Sequence, residues 1–390
     1  TLSLHDALPI SSVLAGKDVM GLAQTGTGKT AAFALPILNR LMAGKRGTTR
    51  ALIVAPTREL AEQIHEAITL LGQKTGLKSI AIYGGVAIGP QIKSARRADI
   101  IVACPGRLLD HIGRKTVNLS ALEVLVLDEA DHMFDMGFLP DIRRILKQIP
   151  AKRQTLLFSA TMPEEIRRLA GESLVAPVTV KVGITAPAET VSHALFPVAQ
   201  HQKTPLLLKL LQQTRTESIL VFTRTKHRAK RLGDQLSRAG YRTASLQGNL
   251  SQNRRQNAIN GFRDGTYQIM VATDIAARGI DIANVSHVIN YDIPNTADAY
   301  IHRIGRTGRA AHTGEAYTMI TDEDTQMVRA IDRVMGAKVE RQTLPDFNYE
   351  AAAAKTNQPP RPAGQKPSNR QHASPKRKHS RSAPTRKRRA

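Results

Sequence analysis

Three clusters of polar residues have the types and spacing that phosphate chemistry requires. The first, from Ala23 to Thr30, reads Ala-Gln-Thr-Gly-Thr-Gly-Lys-Thr and lies between a short apolar stretch and a helical pattern. Its glycines and the helix amino terminus can cradle phosphates, Lys29 adds a positive charge, and the Thr30 hydroxyl can ligate Mg²⁺. The alternative is a glycine-rich turn before a core helix. The predicted nucleotide-binding residues here are Ala23, Thr25, Gly26, Thr27, Gly28, Lys29 and Thr30.

The second cluster is the carboxylate pair Asp128-Glu129, which follows the apolar run from Val124 to Leu127. Asp128 can hold the Mg²⁺ that accompanies a nucleotide, and Glu129 can orient and deprotonate an attacking water. A bare Asp-Glu pair is usually part of a solvated loop. Because a phosphate cradle precedes it in this chain, we interpret the pair as catalytic.

The third cluster extends from His302 to Arg309, where arginines recur every three residues on a glycine-punctuated segment. Arg306 and Arg309 could reach across an interdomain cleft to the γ-phosphate, where a guanidinium stabilises the transition state of phosphoryl transfer. A basic surface loop is the alternative. The regular spacing favours the catalytic interpretation.

Short apolar runs alternate with helical stretches through both halves of the chain. Runs that are apolar at every residue are buried on both faces, which predicts a parallel sheet covered by helices. Functional residues should then lie at the carboxyl ends of the strands, where the first two clusters and the polar segment Pro56 to Glu59 fall. The runs predicted as strands are Val19 to Ala23, Ala51 to Ala55, Ser79 to Tyr83, Ile100 to Ala103, Val124 to Leu127, Thr155 to Phe158, Val178 to Val182, Ala194 to Val198, Ile219 to Phe222, Thr243 to Leu246, Ile269 to Ala272, His287 to Asn290 and Ala316 to Ile320.

The second half repeats the α/β plan of the first without its phosphate loop, so we predict two similar domains. Residues 1–10 read like a translated sequencing adapter and are predicted to be non-native. An amino-terminally truncated nucleotide-binding domain is assigned to 11–183, a linker to 184–189 and a second domain to 190–345. Residues 346–390 are predicted to be a disordered basic tail, because they contain too little apolar surface to fold alone.

Composition restricts the class of protein further. The chain has 390 residues, 41% of them hydrophobic, and no apolar run long enough to cross a membrane. Its single cysteine, Cys104, excludes an internal disulfide framework and a cysteine-rich zinc site, and a reducing cytoplasm fits best. The formal charge is +24, and 12 of the 56 Lys and Arg residues lie in the last 40 residues, which contain no Asp or Glu. A polyanionic partner is therefore expected.

These motifs together resemble those of the DEAD-box RNA helicases, from about Val13 to Leu344. The segment Asp128 to Pro140, DEADHMFDMGFLP, and the segment Ala151 to Pro163 resemble the bacterial RhlE-like branch. The resemblance implies two RecA-like domains, RNA-stimulated hydrolysis of ATP with Mg²⁺, and local opening of RNA duplexes without base readout. It also accounts for Ala23, since the family has its own Ala at the first position of the phosphate loop.

The resemblance implies a role for each matching residue. The residues expected to contact RNA are Pro56, Thr57, Arg58, Gly85, Gly106, Arg107, Gly248, Arg255, Thr273 and Asp274. Coupling between ATP and RNA is expected from Asp131, Ser159, Thr161 and His302, and contact with the nucleotide from Gly279 and Asp281. The catalytic set is then Lys29, Asp128, Glu129, Arg306 and Arg309. Cys104 stands where the family usually has Thr, and we expect a small, half-buried residue, not a reactive thiol.

Alternatives remain open from the sequence. The family's adenine-recognising segment has no counterpart before Ala23, so a non-hydrolysing RNA clamp or annealing protein is a rival for this chain. A DNA helicase of the same architecture is a second rival. The basic tail is predicted to tether RNA nonspecifically, and the protein is expected to be a monomer. Ribosome assembly, RNA decay and cold-induced unfolding all remain compatible as pathways.

Overall fold

The computed structural model describes residues 4–23, 27–181, 191–214, 218–277, 285–308 and 314–351, without the side chains of residues 4–8 and 275. The strands of the first sheet are β1 (Val19–Leu22), β2 (Ala51–Val54), β3 (Ser79–Ile82), β4 (Ile100–Ala103), β5 (Val124–Leu127), β6 (Gln154–Ser159) and β7 (Val178–Lys181). The strands of the second sheet are β8 (Val191–Pro197), β9 (Ile219–Phe222), β10 (Thr243–Leu246), β11 (Ile269–Ala272), β12 (His287–Asn290), β13 (Gly314–Ile320) and β14 (Glu340–Arg341).

The α-helices of the described residues connect these strands. In the first half they are α1 (Leu4–Leu14), α2 (Lys29–Met42), α3 (Arg58–Leu71), α4 (Ile88–Ala95), α5 (Pro105–Gly113), α6 (Ala130–Asp135), α7 (Leu139–Leu146) and α8 (Glu164–Ser173). In the second half they are α9 (Lys203–Gln213), α10 (Lys226–Arg238), α11 (Gln252–Arg263), α12 (Asp274–Ala277), α13 (Ala297–Ile304) and α14 (Thr325–Met335).

The two sheets have the same topology. The strand order is β3-β4-β2-β5-β6-β1-β7 in the first sheet and β10-β11-β9-β12-β13-β8-β14 in the second, and every pairing is parallel. Each sheet therefore places the carboxyl ends of its strands along one edge. The predicted α/β fold of two similar domains is confirmed.

Helices cover both faces of each sheet, and the central strands show why. In β5, Val124 and Val126 pack in the apolar cluster on one face, whereas Leu125 and Leu127 pack in the cluster on the other. Because successive side chains point to opposite faces of a strand, a run that is apolar throughout needs a helical layer on each side. In α3, Leu60, Ala61 and Ile64 are buried against the sheet.

The folded part extends further toward the carboxyl terminus than predicted. The chain as far as Ala351 forms one compact unit, although the tail was predicted to begin at residue 346. Phe347 and Tyr349 pack against the core of the second sheet, and the Gln202 side chain donates a hydrogen bond to the Asn348 carbonyl (3.0 Å). Two aromatic residues in so short a segment form no periodic pattern, so their burial could not be predicted from residue types alone.

Three other predictions concern segments near the boundaries. Residues 4–10, part of the segment predicted to be non-native, lie in α1, where Pro9 is buried. The predicted linker, 184–189, and residues 352–390 of the predicted tail lie outside the described residues. Apart from the start of the tail, the domain boundaries stay predictions. Among the described helices, none combines the length and the apolar character needed to cross a bilayer.

Candidate nucleotide and RNA sites

The phosphate cradle and the carboxylate pair meet at the carboxyl edge of the first sheet. Gly28 has a positive φ of 87° immediately before α2, a conformation that glycine adopts without strain. The Lys29 ammonium donates a hydrogen bond to the Ala23 carbonyl (3.2 Å) and lies 3.8 Å from an Asp128 carboxylate oxygen. Burial raises the pKa of Asp128 to about 6, although the Lys29 charge acts to lower it. A buried carboxyl that ionises this reluctantly is one that a further cation would stabilise.

Glu129 is buried beside Asp128 and has a positive φ of 51°, an uncommon backbone conformation for a residue with a β-carbon. Its carboxylate is 2.8 Å from Nδ1 of His132, one turn further along α6. Burial acts to raise the pKa of Glu129, but the His132 hydrogen bond and the charges of His132, Lys29 and Arg306 outweigh it and lower the pKa to about 2. Glu129 is therefore ionised at neutral pH.

Asp131 connects the carboxylate pair to the end of β6. Its carboxylate accepts hydrogen bonds from the backbone N–H groups of Ala160 (3.1 Å) and Thr161 (2.9 Å) and from the Thr161 hydroxyl (3.2 Å). The Ser159 hydroxyl accepts from the Asp131 backbone N–H (3.1 Å) and donates to the Thr161 carbonyl (2.8 Å). The residues predicted to couple ATP to RNA within the first domain are thus in direct contact, and movement of one would displace the others.

The second domain brings a histidine and an arginine to the same place. The His302 ring lies 5.2 Å, centroid to centroid, from the His132 ring. Arg306 is buried, and its charge contributes to the lowered pKa of Glu129. His132, His302 and Arg306 also line one small cavity between the domains. The predicted catalytic residues Glu129 and Arg306 therefore approach each other across the interface between the two domains.

Asp274 lies in this second-domain cluster and not in the cleft described next, although it was predicted to contact RNA. Its two carboxylate oxygens accept hydrogen bonds from Nε (2.6 Å) and Nη2 (2.7 Å) of Arg303. The same guanidinium donates to the Asn290 side chain (3.0 Å) and the Asp292 carbonyl (2.7 Å), and packs on the Phe222 ring. Arg303 thereby ties α12 and α13 to the carboxyl ends of β9 and β12.

A separate cleft of about 530 Å³ lies between the domains and contains most of the predicted RNA-binding residues. The predicted residues that line it are Pro56, Thr57, Arg58, Gly106, Arg107, Gly248, Arg255 and Thr273. Arg224 and Lys226, which follow β9, add two cations that sequence reasoning missed. Glycines in such a cleft allow a sugar-phosphate backbone to approach closely, and the cations supply charge for it.

One ion pair joins the two domains within this cleft. Nε of Arg255 donates to a carboxylate oxygen of Glu59 (2.7 Å), and the Gln252 side chain contacts the same oxygen (3.4 Å). Both charged side chains are largely buried. Arg255 is therefore already paired in this structure, so a phosphate that contacted it would compete with Glu59 or share the guanidinium.

Two further arginines of the first domain are positioned by backbone groups of the loop after β3. The Arg58 guanidinium packs so closely on Gly85 that a β-carbon there would collide with it. Arg107 donates two hydrogen bonds to the Val86 carbonyl, each of 3.2 Å. Gly85 itself does not appear among the residues that line the cleft, but its neighbour Gly84 does.

Some predicted residues lie outside the described part of the chain: Thr25, Gly26, Gly279, Asp281 and Arg309. Thr30 lies in the first turn of α2, and Thr27 lies just before this helix. Cys104 is buried, although a half-buried residue was predicted, and burial raises the pKa of its thiol to about 12, as expected for an unreactive residue.

The sequence contained different amounts of information about the contacts that the prediction missed. His132 lies three residues after Glu129 on a helix, a spacing at which side chains meet, and this could have been noticed. Arg303 and Glu59 lie inside motifs that the prediction had already marked. Their partners, Asp274 and Arg255, are 29 and 196 residues away in the chain, which no local pattern reveals.

Comparison with known proteins supports the same interpretation. Residues 6–169 match the family of DEAD/DEAH box helicases, and residues 202–311 match the helicase conserved C-terminal domain. The DEAD-box ATP-dependent RNA helicase CshA of Bacillus subtilis is 43% identical over 89% of this chain and 72% of its own length. The protein of the same name from Geobacillus kaustophilus is 44% identical over 87% of this chain and 73% of its own length.

Solved structures give the same result. Dbp5 of Saccharomyces cerevisiae bound to RNA and ADP BeF3 matches 88% of this chain and 94% of its own with a TM-score of 0.75 and 29% identity. A DEAD box protein from Methanococcus jannaschii matches 87% of this chain and 92% of its own with a TM-score of 0.52 and 37% identity. The fold and site thus define a two-domain, RecA-like nucleotide-dependent enzyme of the helicase class. This chain belongs to the DEAD-box helicase family.

Proposed function

We propose that this DEAD-box ATP-dependent RNA helicase hydrolyses ATP where its two domains meet. It opens short RNA duplexes because the two domains close on one of the RNA strands. The observation that carries the proposal is the position of Glu129, which contacts His132 of its own domain, because His132 lines one interdomain cavity with Arg306 of the other domain. Hydrolysis would then depend on domain closure. Closure would also bring together the cleft residues of both domains that we assign to RNA.

Each residue on the nucleotide side has a role in this proposal. Lys29 and the amino terminus of α2 bind the phosphates, and Asp128 and Thr30 hold Mg²⁺. When bound, Mg²⁺ neutralises charge on the phosphate oxygens. Glu129, kept ionised and oriented by His132, positions the attacking water. Arg306 stabilises the charge that develops on the transferred phosphoryl group.

On the RNA side, the proposed contacts are to the sugar-phosphate backbone. Arg58, Arg107 and Lys226 supply charge, while Gly106 and Gly248 allow close approach of the strand. Backbone contacts carry no sequence information, so the core should act on many RNAs. Asp131 would transmit the state of the nucleotide, since it lies two residues after Glu129 and accepts hydrogen bonds from the segment that follows β6.

Finer assignments rest on the sequence. We place the chain in the bacterial RhlE-like branch from the wording of Asp128 to Pro140, and in the cytoplasm from its single cysteine and its RNA substrate. We propose a monomer, with factors of ribosome assembly or RNA decay as partners. A non-hydrolysing clamp is not favoured, because the relatives are named ATP-dependent RNA helicases.

The test of this function is the rate of ATP hydrolysis with no nucleic acid, with single-stranded RNA and with single-stranded DNA of the same sequence. We expect strong stimulation by RNA and little by DNA, since 2′-hydroxyl contacts distinguish the two. Equal stimulation by DNA would favour the DNA-helicase rival. Binding of RNA without any stimulated hydrolysis would favour the clamp.

Arg255→Ala is expected to weaken RNA binding about tenfold or more, because it removes a cation from the cleft and leaves the buried Glu59 carboxylate uncompensated beside the phosphates. In a Glu59→Gln background the same substitution should weaken RNA binding clearly less, since no buried carboxylate is then left without a partner. The measurement is RNA affinity by fluorescence anisotropy with a non-hydrolysable ATP analogue, for both single variants and the double variant. Strictly additive effects would show that the Glu59–Arg255 contact plays no part in RNA binding.

Truncation after Ala351 is expected to weaken RNA binding and flatten its salt dependence while maximal ATP turnover stays similar. The removed segment carries 12 Lys and Arg residues and no acidic residue, and each cation that neutralises a phosphate adds a counterion-release contribution. The slope of log affinity against log salt should be measured for the full chain and the truncated chain. An unchanged slope would rule out the tail as an RNA tether.

A further inference from the structure

A second basic groove lies on the first domain, away from both sites described above. It has a volume of about 1050 Å³ and is bounded by α3, α4 and the edge strand β3. Five basic residues are among those that line it, and none of its lining residues is acidic. These basic residues are His65, Lys78, Lys93, Arg96 and Arg97.

The cations of this groove are not used within the fold. Lys78, Lys93, Arg96 and Arg97 are exposed, and none of them has an ion pair within the described part of the chain. Other arginines of the same domain do have acidic partners, such as Arg143 with Glu172 at 2.8 Å. Four like charges gathered without counter-charges raise the local positive potential, which favours binding of a polyanion.

The same two elements connect this groove to the RNA cleft. Ser79, at the start of β3, lines the groove, whereas Gly84, just beyond the end of β3, lines the cleft. Near the start of α4, Val86 accepts hydrogen bonds from the cleft residue Arg107, and at the end of α4 Lys93 lines the groove. With eight residues, α4 spans about 12 Å, a distance that a few nucleotides of single strand can cross.

We infer that the groove formed by Lys78, Lys93, Arg96 and Arg97 is a second binding site for the phosphate backbone of single-stranded RNA, continuous with the strand held in the interdomain cleft. This inference rests on the proposed function, because it extends the path of the RNA that the cleft would hold. The second site would engage only strands long enough to leave the cleft and pass along α4. It would add affinity for long substrates without changing hydrolysis stimulated by short ones.

The test uses the full chain carrying Lys93→Gln, Arg96→Gln and Arg97→Gln together. RNA affinity is measured for oligouridylates of about 8 and about 30 nucleotides, at several salt concentrations. We expect about tenfold weaker binding of the long RNA with a salt slope smaller by about 2, and unchanged binding of the short RNA. A matched control removes three exposed cations from the second domain, Arg329→Gln, Arg333→Gln and Lys338→Gln, and should leave both affinities unchanged.

Each other outcome overturns the inference. Equal binding of the long RNA by the groove variant and the wild type would leave the groove to another ligand, such as an acidic peptide added to the edge strand β3. Equal losses for the short and long RNA, or a matching loss in the control variant, would show only a general effect of net charge. ATP hydrolysis is measured separately with the short RNA. Absence of stimulation by this RNA in the wild type would contradict the proposed function itself, whatever the groove does.

Discussion

Replacing Glu129 by Gln should reduce RNA-stimulated ATP hydrolysis by at least about 100-fold, the usual range for loss of a general base. The substitution preserves size and removes the charge to which we assign orientation and deprotonation of the attacking water. Nucleotide affinity should change little, since Lys29, Gly28 and Asp128 are untouched and contact the phosphates and Mg²⁺ in the proposed site. The measurements are steady-state hydrolysis at saturating RNA and binding of a fluorescent ADP analogue.

The matched control is Glu164→Gln, which makes the same chemical change at an exposed carboxylate that pairs with Arg168 in the following turn of α8. Hydrolysis by this variant should equal that of the wild type, because an exposed i,i+4 pair contributes little. A Glu129→Gln variant that retained hydrolysis within a few-fold would remove Glu129 from the catalytic set and with it the observation that carries the proposed function.

The position of His132 refines the expectation for Glu129. The orientation of the Glu129 carboxylate depends on its hydrogen bond with Nδ1 of His132. His132→Ala removes the hydrogen bond that holds the carboxylate and should lower kcat about tenfold with little change in KM. His132→Asn keeps a donor near the position of Nδ1 and should recover part of that loss. Equal activity of the two variants would leave His132 with a packing role alone.

The strands could be predicted because their pattern is local. A run such as Val124 to Leu127 is apolar at every residue, and only a strand buried on both faces explains so short a run. β14 escaped prediction, since it has two residues, Glu340 and Arg341, both polar and exposed. It pairs with β8 through the backbone, and backbone hydrogen bonds leave no trace in residue type.

The candidate site could be predicted as a set of residues but not as a set of contacts. The sequence placed Glu129 and Arg306 in one reaction, and the structure places Arg306 in the same interdomain cavity as His132, the hydrogen-bond partner of Glu129. It offered no means to find that Asp274 pairs with Arg303, or that Arg255 pairs with Glu59 of the other domain. Such pairs depend on how two chain segments meet in space. A cation assigned to a phosphate by motif can therefore have a protein carboxylate as its partner.

Arg306→Ala should lower maximal RNA-stimulated hydrolysis by about 1000-fold, the lower end of the range for an arginine that stabilises phosphoryl transfer. Arg306 is buried at the domain interface, where its charge contributes to the lowered pKa of Glu129. Arg303, three residues earlier in the same segment, packs on the Phe222 ring. Its backbone hydrogen bonds to Arg303 and Val285 do not involve the side chain, so the local fold should survive the substitution. Hydrolysis should be measured at saturating ATP and RNA.

Arg306→Lys separates charge from geometry in the same position. Lysine keeps the positive charge but lacks the planar fork that matches phosphate oxygens, so it should recover only a small part of the lost rate. Because Arg306 belongs to the second domain, neither variant should alter nucleotide binding to the first domain, which a fluorescent ADP analogue would report. Full activity of Arg306→Lys would mean that charge alone is needed. Full activity of Arg306→Ala would show that hydrolysis does not require the second domain at this point, and the link between domain closure and catalysis would have to be sought elsewhere.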